Sequence, residues 1–490
     1  MEYLYKASDV RELDAMVAQE LGVSFFHLME RAGRAAFEIL IQRWPNVRKI
    51  AVVCGKGLNG GDGLIVAGHA RAFGIEVQAV LLSPMESLDA DTVLAKKWAE
   101  SQGVEVQEGF TGTLSGQVIV DAILGSGFKG ELRPEYSQAA EAINRNSSPV
   151  LSIDIPTGVS ADGLASDQNA INAAITVTFI GRKVGLYTGS GYAYAGEVIY
   201  QSLGAPGHIF KKIDRGIPLL DFLKIPPLDA LALDSHKHSR GHTVIVGGDH
   251  SMGGAILMAG ESALRVGAGL VTIIGRKAHG SAVLARRPEI MFVDAADRKS
   301  RAAALAKADA IVVGPGMGTN DWGLGLLQEA LIKNKLLVLD ADALKLIGAV
   351  ETRAFPPSIV TPHAGEAAAM LGISSEEIDN DRLAASKTIA RVTGGVSILK
   401  GPGTVIASKS SIYGICKHGN PGMATAGMGD VLSGILGGLL CQGIELRQAA
   451  EYGTCLHSAA ADMASNNMGE RGLVAMDLMV PLTQLMNNAK

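Results

Sequence analysis

The sequence carries no excess of basic residues. Its 44 lysines and arginines stand against 49 aspartates and glutamates, which gives a net charge of −5 over 490 residues. A protein that binds the phosphate backbone of nucleic acid draws most of its affinity from a basic surface. This charge balance argues against nucleic acid, and we expect no nucleic-acid partner.

Cysteine and long hydrophobic runs are scarce as well. The chain has four cysteines, with no C-x-x-C pair: Cys54, Cys416, Cys441 and Cys455. This usage is typical of the reducing cytoplasm. The N-terminal segment MEYLYKASDVREL is too polar for a signal peptide, and VLSGILGGLLCQGI is too short and glycine-rich for a membrane span. We therefore expect a cytoplasmic protein with no targeting segment and no membrane partner.

Aromatic residues make up only 5% of the chain, whereas 47% is hydrophobic and 60 residues are glycine. Such a composition excludes disorder and suits well-buried α/β domains built from Ala, Val, Ile and Leu. The length predicts about two or three domains.

Two stretches alternate apolar β-branched runs with helical patterns, and a proline-marked segment at 204–229 separates them. In the first stretch two amphipathic helices precede the strand candidates KIAVVC, IEVQAVLL, QVIVDAIL, PVLSID and AITVTFI. In the second the candidates are TVIVGG, LVTIIG, AIVVGPG, LLVLDAD, SIVTPH, VSILKG and TVIAS, followed by helices after Met423. We predict an α/β protein of two three-layer α/β/α domains, at 1–215 and 225–490, the first of them Rossmann-like.

Polar residues follow three strand candidates of the first half. CGKGLNGGDG, at 54–63, is a glycine-rich turn that can present N–H groups to phosphate; alternatively, it is a tight turn with Asp62 as a helix N-cap. Asp121 ends a later strand, ahead of a G-x-G-x-x-G at 125–130, and Asp154 and Thr157 end the next. Ligands of open parallel sheets bind at the carboxyl ends of the strands, so these residues point to one site.

Oxygen atoms of Asn59, Asp121 and Thr157 suit a hard cation, although hydrogen bonding between strand ends explains the residues equally well. The spacing does not identify the ion.

The runs LDAMVAQELGVSFFHLMERAG, GKGLNGGDGLIVA, VDAILGSGFKG and IDIPTGVSADG resemble the NAD(P)H-hydrate epimerase domain over most of residues 10–200. Leu58 stands where that family usually has the first Asn of its glycine-rich motif. The resemblance implies that the hydrated dinucleotide is held by Leu58, Asn59, Gly60, Gly61, Asp62, Gly125, Ser126, Gly127, Phe128, Lys129, Gly130 and Glu131. It further implies a catalytic contact from Asp154 near the reacting ring, and potassium bound by Asn59, Asp121 and Thr157.

Three histidines stand close together in the second half, at His236, His238 and His242. No cysteine or carboxylate lies nearby at metal-ligand spacing, so we interpret the segment as a polar loop and predict no metal site there.

Glycine-rich or polar turns follow four strand candidates of this half: GPGMG (314–318), DADAL (340–344), TPHAGE (361–366) and KGPGT (400–404). No G-x-x-x-x-G-K-[ST] motif occurs, so phosphate must be held in another way. TAGMGD places glycine N–H groups at the start of the helix VLSGILGGLLCQ, a position that favours an anion. Asp430 is there either as a base toward an attacking hydroxyl or as the helix N-cap.

DSHK, GGA at 253–255, GPGMG, DADAL, TPHAGE, LKGPGT and GMATAGMGDVLSG together resemble the ribokinase-like superfamily and, within it, the ADP- or ATP-dependent NAD(P)H-hydrate dehydratase domain. The resemblance implies that Ala255, Gly318, His363 and Asp430 contact the hydrate, with Asp430 catalytic. It implies that the nucleotide is held by Lys400, Gly401, Pro402, Gly403, Thr404 and Gly429, with Mg²⁺ on its phosphates and ADP as the donor.

Together these resemblances predict a bifunctional repair enzyme for NADHX and NADPHX, the hydrated forms of NADH and NADPH. One domain interconverts the R and S epimers at C6, and the other phosphorylates the S hydroxyl and eliminates phosphate, releasing AMP. The alternative is a ribokinase-like kinase of a small alcohol with an attached dinucleotide-binding domain. A third hypothesis makes the first half a non-enzymatic binding module. We also expect a homo-oligomer.

Overall fold

A computed structural model describes residues 2–350 and 356–487. The chain forms two compact units, Tyr3–Ile217 and Pro218–Lys490. Among the described residues, no helix combines the length and the apolar character needed to cross a membrane.

The first unit is built around a parallel sheet. Its strands are β1 (Glu2–Tyr5), β2 (Lys49–Cys54), β3 (Glu76–Leu81), β4 (Val106–Glu108), β5 (Val118–Ala122), β6 (Val150–Ile153), β7 (Ile175–Phe179), β8 (Arg182–Lys183) and β9 (Glu197–Gln201). Its helices are α1 (Ala7–Leu21), α2 (Phe25–Arg43), α3 (Leu58–Ala72), α4 (Ala90–Ser101), α5 (Pro134–Arg145) and α6 (Ser190–Ala195). Seven strands pair in the order β4-β3-β2-β5-β6-β7-β9, all parallel, while β1 pairs with β8.

Strand β2 shows why both faces of this sheet are covered. Ile50 and Val52 pack into one core with helices α1 to α4, whereas Ala51 and Val53 face a second core with α5. A strand that is buried on both faces has a continuous run of apolar residues, and this run identified KIAVVC as a strand candidate. All five strands predicted here are present. The expectation that the chain opens with helices is wrong, since the short strand β1 precedes them.

The glycine-rich motif is helical rather than a loop. Helix α3 already begins at Leu58, with Gly57 as its N-cap, so the alternative of Asp62 as an N-cap is wrong. The helix starts this early because its first turn packs against the preceding turn. A Cβ on Gly60 would lie 1.9 Å from the Gly55 carbonyl oxygen, a separation that only glycine permits.

Gly60→Ala is therefore expected to destabilise the first unit by roughly 3 kcal/mol, because backbone must move to admit the methyl group. Denaturant unfolding followed by circular dichroism measures the loss. Gly127→Ala is the matched control, since no heavy atom lies within 4 Å of the added Cβ, and its stability should stay within about 0.5 kcal/mol of the parent. Equal losses in both variants would contradict this packing argument.

The second unit contains a larger mixed sheet. Its strands are β10 (Ile217–Leu220), β11 (His242–Val246), β12 (Leu270–Gly275), β13 (Met291–Asp294), β14 (Ala310–Val313), β15 (Leu336–Leu339), β16 (Ser358–Val360), β17 (Val396–Leu399), β18 (Val405–Ala407) and β19 (Ile412–Cys416). Its helices are α7 (Gly253–Arg265), α8 (Gly280–Arg286), α9 (Arg298–Lys307), α10 (Asp321–Leu331), α11 (Asp342–Leu346), α12 (Ala364–Leu371), α13 (Ser375–Asn380), α14 (Arg382–Thr393), α15 (Met428–Leu440), α16 (Leu446–Met468) and α17 (Met479–Asn487).

The strand order is β13-β12-β11-β14-β15-β16-β17-β18-β19-β10, and the pairs from β13 to β17 are parallel. Strand β18 runs antiparallel to both β17 and β19. All seven predicted strands are present, as are the helices after Met423. Helices α7, α15 and α16 share one core with the sheet. The carboxyl ends of β15, β16 and β17 and the start of α15 form the second candidate site, described below. The predicted α/β class is confirmed.

Candidate active sites

A cavity of about 550 Å³ opens in the first unit where strands β2, β5 and β6 end. Among the predicted residues, those that line it are Leu58, Asn59, Asp62, Gly125, Ser126, Gly127, Phe128, Lys129, Glu131 and Asp154. The others lie outside its lining: Gly60, Gly61, Asp121, Gly130 and Thr157. Gly60 and Gly61 are buried inside α3.

Asp121 and Thr157 form a buried polar cluster at the ends of β5 and β6. The Thr157 hydroxyl donates to Asp121 Oδ1 at 2.7 Å, and the Thr157 N–H donates to Oδ2 at 2.9 Å. The Ser152 hydroxyl also donates to Oδ2, at 2.8 Å. Burial raises the pKa of Asp121 more than these hydrogen bonds lower it. Both residues are fully buried, so the carboxylate is held in one orientation.

Asn59 is the unsatisfied member of this region. Both its amide oxygen and its amide nitrogen are buried without a hydrogen-bond partner. An unpaired buried amide costs free energy, so such a group in a native fold calls for an absent partner. The side chain lies against Gly125, where a Cβ would be 3.6 Å from Asn59 Oδ1. The oxygens of Asn59, Asp121 and Thr157 are of the type that a hard cation prefers.

Asp154 occupies a strained position at the end of β6. Its φ is 66°, in the left-handed region that non-glycine residues rarely adopt. The carboxylate forms an ion pair with the buried Lys183 of β8. Lys183 Nζ also donates to the Thr178 hydroxyl at 3.1 Å and to the Phe179 carbonyl at 3.0 Å. Sequence reasoning missed Lys183, although a lysine directly after a run of buried strand residues was a usable signal.

Two further carboxyl groups line the cavity with raised pKa values. Asp62 has a pKa well above its usual range because of burial, with Asp154 and Asp14 adding to the rise. Burial raises the pKa of Asp14 in α1 to about 7, which Lys183 partly offsets. Asp14 was not predicted. Its signal is weak, since one acidic residue on an amphipathic helix is most often exposed to solvent.

The second site surrounds Lys400, at the end of β17. Its Nζ donates to Asp340 Oδ1 at 2.8 Å and lies 3.6 Å from Glu366 Oε2. Asp340 follows β15 and also accepts hydrogen bonds from the hydroxyls of Ser433, at 2.6 Å, and Thr361, at 2.8 Å. Burial alone would raise the pKa of Asp340, but Lys400 and these hydroxyls lower it. Asp340 is thus a fixed anion.

Asp430 lies in the first turn of α15, whose N-cap is Gly427. The alternative of Asp430 as the N-cap is therefore wrong. Burial, followed by the negative charge of Asp340, raises the pKa of Asp430 to about 7 against the pull of Lys400. Gly429 lets the start of helix α15 approach Lys400 closely, since a Cβ at Gly429 would lie 3.3 Å from Lys400 Nζ. A carboxyl group with this pKa can exchange a proton at neutral pH.

The other predicted contacts of this unit lie at neighbouring turns. The Gly318 N–H donates to Asp342 Oδ2 at 2.9 Å. His363 is the N-cap of α12, where its Nδ1 accepts from the N–H groups of Gly365 and Glu366, and its side chain is 60% exposed. Ala255 lies in the first turn of α7.

Two family models match the chain. Residues 243–483 match the model described as NAD(P)H-hydrate dehydratase, and residues 26–185 match the model described as YjeF-related protein N-terminus. A bifunctional NAD(P)H-hydrate repair enzyme of Coxiella burnetii is 43% identical over 99% of this chain and 100% of its own length. One from Escherichia coli is 39% identical over 99% of this chain and 94% of its own length. The chain belongs to the bifunctional NAD(P)H-hydrate repair enzyme family.

Solved structures of similar fold support the family assignment of the second unit. An ADP/ATP-dependent NAD(P)H-hydrate dehydratase from Bacillus subtilis, co-crystallised with ATP and Mg²⁺, aligns with a TM-score of 0.50 and 26% identity, covering 56% of this chain and 99% of that one. A ribokinase-like superfamily protein from Enterococcus faecalis aligns at 0.51 and 27%, covering 55% and 94%. The predicted family and the predicted ribokinase-like fold are confirmed.

Arg382 is a third residue, after Lys183 and Asp14, that the sequence did not reveal. It is 1% exposed, and its guanidinium donates to the carbonyls of Leu399, at 3.1 Å, and Lys400, at 2.9 Å. It thereby supports the turn 400–404 from the protein interior. Gly401 is required there, because its φ is 139° and a Cβ would lie 2.8 Å from the Arg382 guanidinium.

Two of the three histidines near the start of this unit, His236 and His242, form hydrogen bonds within the protein. His236 Nδ1 accepts the Ser239 N–H at 3.0 Å, and His242 Nε2 lies 2.8 Å from the Thr272 hydroxyl. No group of three or more His, Cys, Asp or Glu side chains suited to a metal ion occurs within residues 2–350 and 356–487.

Proposed function

We propose that this chain repairs hydrated nicotinamide dinucleotides through two activities. Residues 1–215 would interconvert the R and S epimers of NADHX and NADPHX. Residues 225–490 would dehydrate the S epimer to NADH or NADPH at the expense of ADP, releasing AMP and phosphate. The supporting observation is that a full-length relative named for this function is 43% identical and that Asp430 lies beside Lys400 with a pKa near neutrality.

Dehydration requires that a poor leaving group be converted into a good one. Hydroxide leaves slowly, whereas phosphate leaves readily. In the proposed step Asp430 removes the proton of the C6 hydroxyl as that oxygen attacks the β-phosphorus of ADP. The hydrate would contact Asp430 together with Ala255, Gly318 and His363.

The start of α15 is suited to the transferring phosphoryl group. The N–H groups of Met428, Gly429 and Asp430 belong to the first turn and lack partners within the helix. The adenine nucleotide would also contact Gly429 and the turn formed by Lys400, Gly401, Pro402, Gly403 and Thr404.

Charge at this site favours a divalent cation with the nucleotide. Four acidic groups, namely Asp340, Asp342, Glu366 and Asp430, lie close enough to influence the pKa of Asp430 or of Lys400. Lys400 and Lys345 are the lysines that form ion pairs with them. The phosphates of ADP would add further negative charge, so the site fits Mg²⁺ bound to their oxygens. When bound, Mg²⁺ would neutralise charge that develops on those oxygens.

Potassium is the proposed ion of the first unit, held by Asn59, Asp121 and Thr157. When bound, it would supply a positive charge at the floor of the dinucleotide site. The buried, unpartnered amide oxygen of Asn59 supports this proposal. We further propose a cytoplasmic location, consistent with four free thiols, and a homo-oligomeric state.

A single assay tests the proposed function. A mixture of NADHX epimers is incubated with the protein, ADP and Mg²⁺, and absorbance at the NADH wavelength is followed. Complete recovery of NADH is expected, since the epimerase feeds the dehydratase. Recovery that stops at the S fraction would refute epimerisation. A stable phosphorylated product without NADH would instead indicate the kinase alternative.

Potassium should also stabilise the first unit. Replacing KCl by tetramethylammonium chloride is expected to lower the thermal unfolding midpoint of the wild-type protein, because a ligand that binds the folded state shifts unfolding by mass action. It should also slow epimerisation about tenfold or more. The midpoint of Asn59→Ala should not respond to potassium. Equal responses of both proteins would exclude Asn59 as a ligand.

A further inference from the structure

Three carboxyl groups from different elements line the cavity of the first unit. Asp14 comes from α1, Asp62 from α3, and Asp154 from the end of β6. The six other charged groups of the lining are Arg11, Lys56, Lys129, Glu131, Arg133 and Lys183. Within the resemblance only Asp62 and Asp154 have an assigned role, which leaves Asp14 unexplained.

The surroundings of the three carboxyl groups differ sharply. Asp154 forms an ion pair with the fully buried Lys183. Both hydrogen bonds recorded for its carboxylate, from Lys183 Nζ and from the Phe179 N–H, go to Oδ1. These contacts hold the Asp154 carboxylate in one orientation beside the Lys183 ammonium group.

Asp62 lies in helix α3, and burial raises its pKa well above the ordinary range. A group that holds its proton this firmly is a poor donor at neutral pH. Burial, helped by the negative charge of Asp154, raises the pKa of Asp14 to about 7 against the pull of Lys183. General acid–base catalysis is most efficient when the pKa of the group is near the working pH.

Epimerisation at C6 requires that one stereocentre become planar and then reform. Protonation of the C6 hydroxyl lets the C6–O bond break with loss of water, while the lone pair of N1 forms a C6=N1 double bond. Water then adds to the opposite face of the planar cation and releases one proton to the solvent. One proton enters and one leaves, so the reaction consumes nothing.

We propose that Asp14 is the catalytic acid of this epimerisation, donating its proton to the departing C6 hydroxyl, with Asp154 held by Lys183 as the counter-charge to the ring cation. The inference rests on the proposed function and assigns a residue within it. Asp14 regains its proton from the solvent that fills the open cavity, ready for the next turnover.

The test compares Asp14→Asn with the wild-type chain on purified R-NADHX, with the uncatalysed rate subtracted. Epimerisation is expected to fall about 10²–10⁴-fold. Asparagine closely mimics the neutral carboxyl group, so the fold should be retained, as the thermal unfolding midpoint would report. Glu12→Gln is the matched control, because Glu12 lies on the same helix but pairs with Arg215 at the surface, and it should epimerise at the wild-type rate.

The pH dependence of the epimerisation rate distinguishes a catalytic role of Asp14 from a purely structural one. Because Asp14 must be protonated to donate, the wild-type rate should decline as pH rises through about 7. Asp14→Glu should retain a declining limb, and Asp14→Asn should lack one. A wild-type protein without epimerase activity would refute the proposed function itself. A wild-type protein that epimerises, alongside an Asp14→Asn variant with an equal rate or the same limb, would overturn only the role of Asp14.

Discussion

Asp430→Asn is expected to lower the rate of NADH formation from S-NADHX and ADP by about 10²–10⁴-fold, the usual contribution of a positioned general base. The amide retains the shape of the side chain but cannot accept the hydroxyl proton. The wild-type rate should rise with pH through about 7, since Asp430 must be ionised to act. Initial rates at the NADH wavelength between pH 5.5 and 8.5 measure both effects.

Asp321→Asn is the matched control for this substitution. Asp321 also lies in the first turn of its helix, α10, but it is exposed. Its replacement should leave the rate and the pH profile unchanged. An Asp430→Asn variant with wild-type turnover would refute the assignment of Asp430 as the base.

Asp430→Asn should lower the rate of NADH formation but raise the free energy of unfolding at alkaline pH. The pKa of Asp430 is raised in the folded state, so its contribution to stability is complete below its unfolded pKa and is lost as pH rises through about 7. At pH 8 the ionised Asp430 carboxylate destabilises the folded protein, and Asp430→Asn removes this destabilising charge. We expect the variant to be roughly 2–4 kcal/mol more stable at pH 8, and about equally stable at pH 4.

Lys400→Met should have the second largest effect, on stability and activity together. Lys400 is the cation nearest to Asp340, which is 1% exposed, and their contact is 2.8 Å. Removing one partner of a buried ion pair leaves an uncompensated charge, at a cost of about 3–5 kcal/mol. Denaturant unfolding measures this loss. NADH formation should also fail, because Lys400 is a proposed nucleotide contact.

Two comparisons sharpen this expectation. Lys345→Met removes a similar contact, at 3.0 Å to Asp342, but Lys345 is 48% exposed, so we expect a loss of less than about 1 kcal/mol. Adding Asp340→Asn to Lys400→Met should restore part of the stability, since no buried anion is then left unpaired. Additive losses in the double variant would argue against a coupled pair.

Much of the fold was predictable because both sheets are buried on two faces. Runs such as KIAVVC and LVTIIG stand out against their polar flanks and coincide with strands β2 and β12. Short or partly exposed strands, among them β4 and β9, were missed, because three to five half-polar residues carry too little apolar pattern. Their strand state comes from pairing with a neighbour that is remote in sequence.

Some residues of the two sites could also be predicted from the sequence. The polar turns that follow strand candidates identified Asp121, Asp340 and Lys400 as candidate site residues. In the structure these residues lie at the carboxyl ends of strands β5, β15 and β17. The helix boundary at Leu58 was misjudged, because three glycines imitate a loop. In the folded unit Gly60 permits a backbone contact that no other residue allows, and Gly61 and Gly63 pack closely against the side chains of Met29 and Ala122.

The sequence by itself determined the α/β class, the family and the residue types available for chemistry, because buried strands and strand-end motifs are local in the chain. Only the tertiary structure decided the ionisation of those residues. Asp14, Asp62 and Asp430 have raised pKa values because folding buries them, and the charges of Lys183, Lys400 and Asp340 modify the rise. Such charges act through space, between residues that folding brings together from distant parts of the chain.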